Sequence, residues 1–124
     1  MKQYVFIPCV ELGFNILFSI AQQLKSLYPE RKQTLILLSH DRLVGRVKEE
    51  KRHFDEVIEF PWFQPSLRNF FRTIQLSSRF TNLLKRKFSS ESTFFCIGTS
   101  QFFHQHVLYL LKYSSWKYIN IQPH

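Results

Sequence analysis

The chain has 124 residues, 44% of them hydrophobic, which is enough for one domain with its own core and too little for two. Two cysteines exclude a disulfide framework and favour a reducing, cytoplasmic location. The net charge is +8. Residues 66–90 contain six of the 17 basic side chains and no acidic one, so this segment supplies most of the net positive charge.

Apolar runs alternate with longer amphipathic stretches, and this pattern predicts five strands separated by four helices. The strands are predicted at residues 4–7, 34–38, 57–60, 93–97 and 117–121. The helices are predicted at residues 15–28, 43–54 and 66–88, and after the turn at 98–100. Asn15 and Ser66 are expected to be N-caps, and Pro29 follows the first helix.

Two of these helices are predicted to bury an apolar face. For the first helix the face is Leu17, Ile20, Ala21, Leu24, Leu27 and Tyr28. For the helix at 66–88 the apolar positions are Leu67, Phe70, Phe71, Ile74, Phe80, Leu83, Leu84 and Phe88.

The alternation of strands and helices favours a parallel sheet with helices on both faces, because parallel neighbours need crossover connections. Right-handed crossovers favour the strand order 3-2-1-4-5. We therefore expect an α/β, Rossmann-like three-layer sandwich formed by a single domain, residues 1–124. Ligands in such sheets bind at the carboxyl ends of the strands, where the winding reverses, so the loops at 9–15, 39–42 and 98–101 are the candidate site.

The chain lacks the sequence signals of a cofactor or metal site. Only Gly13 matches the G-x-G-x-x-G fingerprint, so an NAD or FAD enzyme is not expected and no cofactor is predicted. His104 and His106 stand two apart, where helical side chains diverge and cannot share an ion. No cluster of cysteines or acids completes a site, so no metal is predicted.

Two polar turns follow predicted strands at the ligand-binding edge. After Ser39 and His40, Asp41 either orients the imidazole or caps the next helix. Thr99 and Ser100 follow the fourth strand, where hydroxyls and free helix amides either hold a phosphate or sugar oxygen or form an ordinary N-cap. The sequence leaves both alternatives open.

Three stretches carry a resemblance to a known family. Leu12–Leu17 and Gln23–Pro29 resemble the opening of heptosyltransferase-type glycosyltransferases, and Asp55–Ile58 is similar to their third strand. These enzymes have the two-domain architecture called GT-B. The resemblance implies an N-terminal, acceptor-side domain of a glycosyltransferase for cell-surface polysaccharide or lipopolysaccharide.

The resemblance also implies a second domain, since the C-terminal half of these enzymes binds most of the nucleotide-sugar. Only three residues follow the last predicted strand, so that half is missing from this chain. We therefore expect a truncated form without transferase activity of its own. It either works with a separately encoded C-terminal half or is the remnant of a broken gene.

The family's catalytic position is altered in this chain. The aspartate taken as the base that activates the acceptor hydroxyl is matched by Phe14, which cannot accept a proton. Glu11, three residues earlier, is the candidate catalytic base; the alternative is a solvated loop acid or a cap. The residues expected to form the ligand-binding cleft are Gly13, Asn15, Ser39, His40, Thr99 and Ser100.

The basic segment allows three interpretations. Cations beside Phe and Leu at helical spacing suit an anionic membrane surface and allow peripheral attachment to the inner face of the membrane. Nucleic acid is the weakest interpretation, because no recognition motif is present. The third is a solvated face over a packed apolar stripe. The cations concerned are Arg68, Arg72, Arg79, Lys85, Arg86 and Lys87.

Three further expectations concern the whole chain. The uncharged stretch at 92–111 has too many polar groups for a membrane span. Cys9 and Cys96 end strands predicted to be neighbours and are expected to be buried, reduced thiols. The alternative to a glycosyltransferase is a non-enzymatic, flavodoxin-like interaction module.

Overall fold

The structure is a computed structural model that describes residues 2–8, 11–38, 53–60, 68, 70–97, 109–112 and 116–121. The strands are β1 (Gln3–Pro8), β2 (Lys32–Leu38), β3 (Glu56–Phe60), β4 (Ser92–Ile97) and β5 (Lys117–Ile121). The long helices are α1 (Glu11–Leu27) and α2 (Phe70–Lys87), and residues 109–112 are also helical. Each predicted strand is confirmed to within two residues at either end.

The five strands form one parallel sheet in the order β3-β2-β1-β4-β5, which confirms the predicted α/β, Rossmann-like topology. The chain winds from β1 through β2 to β3 on one side, and β4 and β5 extend the sheet on the other side of β1. The winding therefore reverses between β1 and β4. These two strands pair along their whole length and end together, with Pro8 opposite Ile97.

Both faces of the sheet are covered, because alternate side chains of a strand point to opposite faces. Val5 and Ile7 of β1 belong to a buried cluster that contains Phe80 of α2. Tyr4 and Phe6, which alternate with Val5 and Ile7 along β1, belong to a second cluster that contains residues of α1. Helix α1 therefore packs on one face and α2 on the other, which makes the predicted three-layer sandwich.

Helix α1 begins earlier than predicted, so Asn15 is not an N-cap. The helix starts at Glu11, an acidic residue that suits the positive end of a helix dipole. Gly13 lies within the helix and has no positive φ, so it does not form the predicted turn. The prediction failed because a glycine followed by an asparagine is typical of a loop, whereas packing against the sheet outweighs the modest helix penalty of both residues.

The buried face of α1 is also shorter than predicted. Leu17 and Ala21 are buried, whereas Leu27 is 70% exposed and Tyr28 is 39% exposed. The Arg31 guanidinium lies over the Tyr28 ring, 4.1 Å from its centroid, and also donates to the hydroxyl of Tyr4. The end of α1 thus makes a cation–π contact near the surface instead of packing into the core.

The apolar stripe predicted for α2 is only half correct. The residues that pack against the sheet follow helical spacing from Thr73; they are Thr73, Leu76, Phe80 and Leu84. Phe71 precedes Thr73 by two residues, which directs it to the opposite side of the helix. Phe70, Phe71 and Ile74, all predicted to be in the stripe, are exposed.

A cluster of charges joins α2 to the amino ends of two strands. Lys32 Nζ donates to Glu56 Oε2 at 2.8 Å, and Lys87 Nζ donates to Glu56 Oε1. The hydrogen bond from Lys32, and after it the one from Lys87, lowers the pKa of the Glu56 carboxyl. The contact shows that the last turn of α2 lies at the amino edge of the sheet, where β2 and β3 begin.

One buried polar atom in β2 gives a stability prediction. Thr34 is fully buried, and its hydroxyl has no hydrogen-bond partner among the described residues. Thr34→Val keeps the side-chain shape and removes the unpaired hydroxyl, so we expect the free energy of unfolding in urea to rise by about 1 kcal/mol. Thr34→Ser is the matched control: it keeps the hydroxyl, leaves a methyl-sized gap and should lose about 1 kcal/mol. A valine variant less stable than the native chain would contradict the assignment.

Candidate functional site at the carboxyl edge of the sheet

The candidate site lies where β1 and β4 end. Their last residues, Pro8 and Ile97, are register partners, and the chain leaves them toward opposite sides of the sheet. In open parallel sheets such a reversal opens a crevice that binds ligands. The structure thus contains the topological feature on which the predicted site depends.

The first candidate residues lie in the opening turns of α1. Glu11 is the first residue of the helix and follows the last residue of β1 by three positions, so its backbone is close to the predicted crevice. Gly13 belongs to the same turn. Asn15 is exposed, and its backbone carbonyl accepts a hydrogen bond from Ser19 Oγ at 3.1 Å. The segment 11–15, predicted to be loop, is therefore regular helix.

The other predicted cleft residues lie outside the described part of the chain. Ser39 and His40 directly follow the end of β2, and Thr99 and Ser100 come shortly after the end of β4. Their roles stay predictions. Among the described residues no group of three metal-ligating side chains occurs, and His104 and His106 also fall outside them.

The six predicted membrane-binding cations are exposed but do not form one patch. They are Arg68, Arg72, Arg79, Lys85, Arg86 and Lys87. Helix α2 has 18 residues and is therefore about 27 Å long, which separates the arginines at its start from the basic residues of its last turn. Lys87 at that far end is bound to Glu56. Of these six cations, Arg68 and Arg72 are thus the two toward the carboxyl edge.

An exposed apolar group lies beside these two arginines, and sequence reasoning missed it. Phe71 is 85% exposed, and Phe70 and Ile74 are both more than half exposed. The Phe70 and Phe71 rings contact each other edge to face, with centroids 5.8 Å apart. We name Phe70, Phe71 and Ile74 the aromatic patch. The helical spacing of the packed residues reveals it only in part: Phe71 lies opposite them, whereas Phe70 precedes Thr73 by three residues and is exposed despite that spacing.

The comparisons with known proteins concern the fold. No protein-family model matches the chain, and no curated protein matches it. The chain is similar to the crystal structure of the C-terminal domain of the PF1911 hydrogenase from Pyrococcus furiosus, with a TM-score of 0.65 and 17% sequence identity. The superposition covers 97% of this chain and 90% of that domain. At this identity the likeness supports the Rossmann-like fold alone.

No helix in the described residues is long and apolar enough to cross a bilayer. The aromatic patch is a small apolar group on the surface of an otherwise polar helix face, a pattern typical of binding surfaces.

Cys96 does not have the surroundings of a catalytic thiol. It lies on β4 opposite Ile7 and belongs to the buried cluster beneath α2. Its Sγ atom is 3.6 Å from Asn120 Oδ1, and burial raises the pKa of the thiol to about 12. Cys96 is buried as predicted, and its thiol stays protonated at neutral pH; Cys9 lies outside the described residues.

The buried thiol gives a reactivity prediction. In a Cys9→Ser variant, so that Cys96 is the sole cysteine, alkylation by iodoacetamide at pH 8 should be more than about a hundredfold slower in the native state than in 8 M urea, because the thiolate is the reactive species. Mass spectrometry over time measures both rates. Similar rates in the two states would show that Cys96 is accessible and ionised, contrary to the structure.

Proposed function

We propose that the chain is the acceptor-side domain of a glycosyltransferase and works against an anionic membrane surface, on a lipid-linked acceptor. The observation that carries the proposal is the aromatic patch, three exposed apolar side chains beside two arginines toward the carboxyl edge of the sheet. The resemblance of the first half of the sequence to heptosyltransferase-type enzymes supports the reaction class.

The fold is compatible with the acceptor side of such an enzyme. The reversal of winding between β1 and β4 supplies one wall of a crevice, and α1 starts directly beside it. Glu11, the first residue of α1, is the proposed base for the acceptor hydroxyl, since it follows the end of β1 by three residues and carries a group that can accept a proton. A separate nucleotide-sugar-binding half would supply the donor.

The position of the aromatic patch supports an orientation in which the crevice faces a membrane. Helix α2 ends at the amino edge, so its first turns lie toward the carboxyl edge. An acceptor anchored in lipid reaches the crevice only if this edge faces the bilayer. Burying each aromatic ring in the headgroup region is worth about 2 kcal/mol, and each nearby cation adds about 1 kcal/mol on an anionic surface.

The membrane part of the proposal is tested with vesicles. The native chain should sediment with vesicles containing 30% phosphatidylglycerol and stay in solution with pure phosphatidylcholine, in about 0.1 M salt. The double variant Phe70→Ser/Phe71→Ser should bind the anionic vesicles at least tenfold more weakly, because two exposed rings are lost.

Leu27→Ser is the matched control for this experiment. Leu27 is 70% exposed and lies in the last turn of α1, away from the aromatic patch, so its loss should leave vesicle binding unchanged. Equal binding of the native chain to neutral and anionic vesicles would count against the proposal. So would a double variant that sediments like the native chain.

The second candidate is a non-enzymatic interaction module, and the edge strand β5 favours it. Tyr118 and Ile119 are adjacent in β5, so they face opposite sides of the sheet, and both are substantially exposed. A strand that exposes apolar side chains on both faces suits contact with another protein. An interaction module of this kind needs no ligand at the carboxyl edge.

Oligosaccharide binding distinguishes the two candidates. An acceptor-side domain should bind delipidated lipopolysaccharide core oligosaccharide at the carboxyl edge, with saturable amide NMR shifts at Glu11 and Ile97 and none at Lys117. A dextran oligosaccharide of equal length is the control and should produce no saturable shift. If neither sugar shifts these amides, the interaction module becomes the better description.

A further inference from the structure

A cavity of about 320 Å³ lies on the α1 face of the sheet, at the edge opposite the crevice. Its floor is apolar and includes Phe18, Ala21 and Phe54. Lys25 and Ser26 from the end of α1, and His53 just before β3, form its rim. The volume is in the lower range of small-molecule sites, which combine an apolar floor with a few polar groups.

Hydrogen bonds hold the walls of this cavity in place. Gln33 of β2 is buried, and its Nε2 donates to the Ala21 carbonyl at 2.8 Å, which ties α1 to the sheet. The Asp55 carboxylate accepts from the Gln33 backbone amide at 2.7 Å, and the Asp55 amide donates to the Gln33 carbonyl at 3.0 Å. These bonds fix the segment that carries His53 and Phe54 beside β2.

Aromatic contacts hold the same segment against α1. The Phe18 ring meets His53 edge to face at 5.4 Å between centroids and Phe54 at 6.2 Å. Lys25 Nζ donates to the His53 carbonyl at 3.3 Å. An ammonium group has three protons, so this bond leaves Lys25 able to donate to a ligand at the rim. These contacts hold Phe18, His53 and Phe54 in place around the cavity.

The charge of the rim indicates the sign of the ligand. Lys25 and His53 both supply hydrogen-bond donors, and no acidic side chain is among the described residues that line the cavity. Asp55 is the acid next to this segment, and its carboxylate is turned to the Gln33 amide. An aromatic floor under a cationic rim suits a small ring that bears a carboxylate.

We propose that this cavity binds a small aromatic carboxylate, its ring on Phe18 and Phe54 and its carboxylate on Lys25. The site is independent of the proposed transferase function, because it lies at the amino edge of the sheet. Binding here would connect α1 to the segment before β3 and stabilise both. No covalent step is involved.

Sodium benzoate is the probe for this site. Titration into the ¹⁵N-labelled chain should cause saturable amide shifts at Ser26, Gln33 and Phe54. Benzyl alcohol has the same ring without the charge and should bind at least tenfold more weakly, because it cannot form the charge-assisted hydrogen bond to Lys25. Acetate, which has the charge without the ring, should also bind more weakly.

Two variants test the assignment to this cavity. Lys25→Met keeps most of the side-chain stem, removes the cation and should weaken benzoate binding about tenfold or more. Ser26→Trp adds a ring at an exposed rim position and should block the cavity without touching the core. Lys117→Met, at an exposed position at the start of β5, is the matched control and should bind like the native chain.

The proposal fails if benzoate causes no saturable shift at these amides. It also fails if benzyl alcohol binds as tightly as benzoate, or if the Lys25→Met and Ser26→Trp variants both retain native affinity. The proposal is supported if both variants lose benzoate affinity and Lys117→Met keeps it. Because Lys25 and Ser26 are both exposed, these substitutions leave the fold intact, which the unchanged amide spectrum of β1 and β4 verifies.

Discussion

The burial of β1 on both faces is the constraint on which the rest of the structure depends. This strand lies between β2 and β4, and Val5, Phe6 and Ile7 are fully buried, with alternate residues packed beneath different helices. A polar side chain at any of these positions would be buried without water, at a cost of several kcal/mol. Parallel pairing on both sides of β1 then brings the ends of the neighbouring strands together at one edge.

The two edges of the sheet differ in chemistry as a result. At the amino edge, Glu56 binds Lys32 and Lys87, and the cavity beside Lys25 presents a cationic rim over aromatic rings. Toward the carboxyl edge, the aromatic patch is exposed next to arginines. Since a crossover helix runs antiparallel to its strands, one helix contributes to both edges. The basic segment is therefore divided between the edges, although it is continuous in sequence.

Sequence reasoning predicted the reversal of winding but not the cavity, for a physical reason. A crevice at a reversal of winding follows from strand order, and strand order follows from the alternation of strands and helices. The cavity depends on contacts between residues far apart in the chain, such as Lys25 with the His53 carbonyl. No periodic pattern marks such a contact. The early start of α1 was missed because Gly13 and Asn15 have weak helix propensities that tertiary packing overrides.

The sequence by itself determined the five strands, their parallel direction and their order, because continuous apolar runs separated by crossover lengths permit few other arrangements. Only the tertiary structure decided which apolar side chains are buried. Phe71 and Phe80 are the same residue type on the same helix, yet one is 85% exposed and the other fully buried. The difference is the rotation of α2 against the sheet, which is set by all the packed residues together.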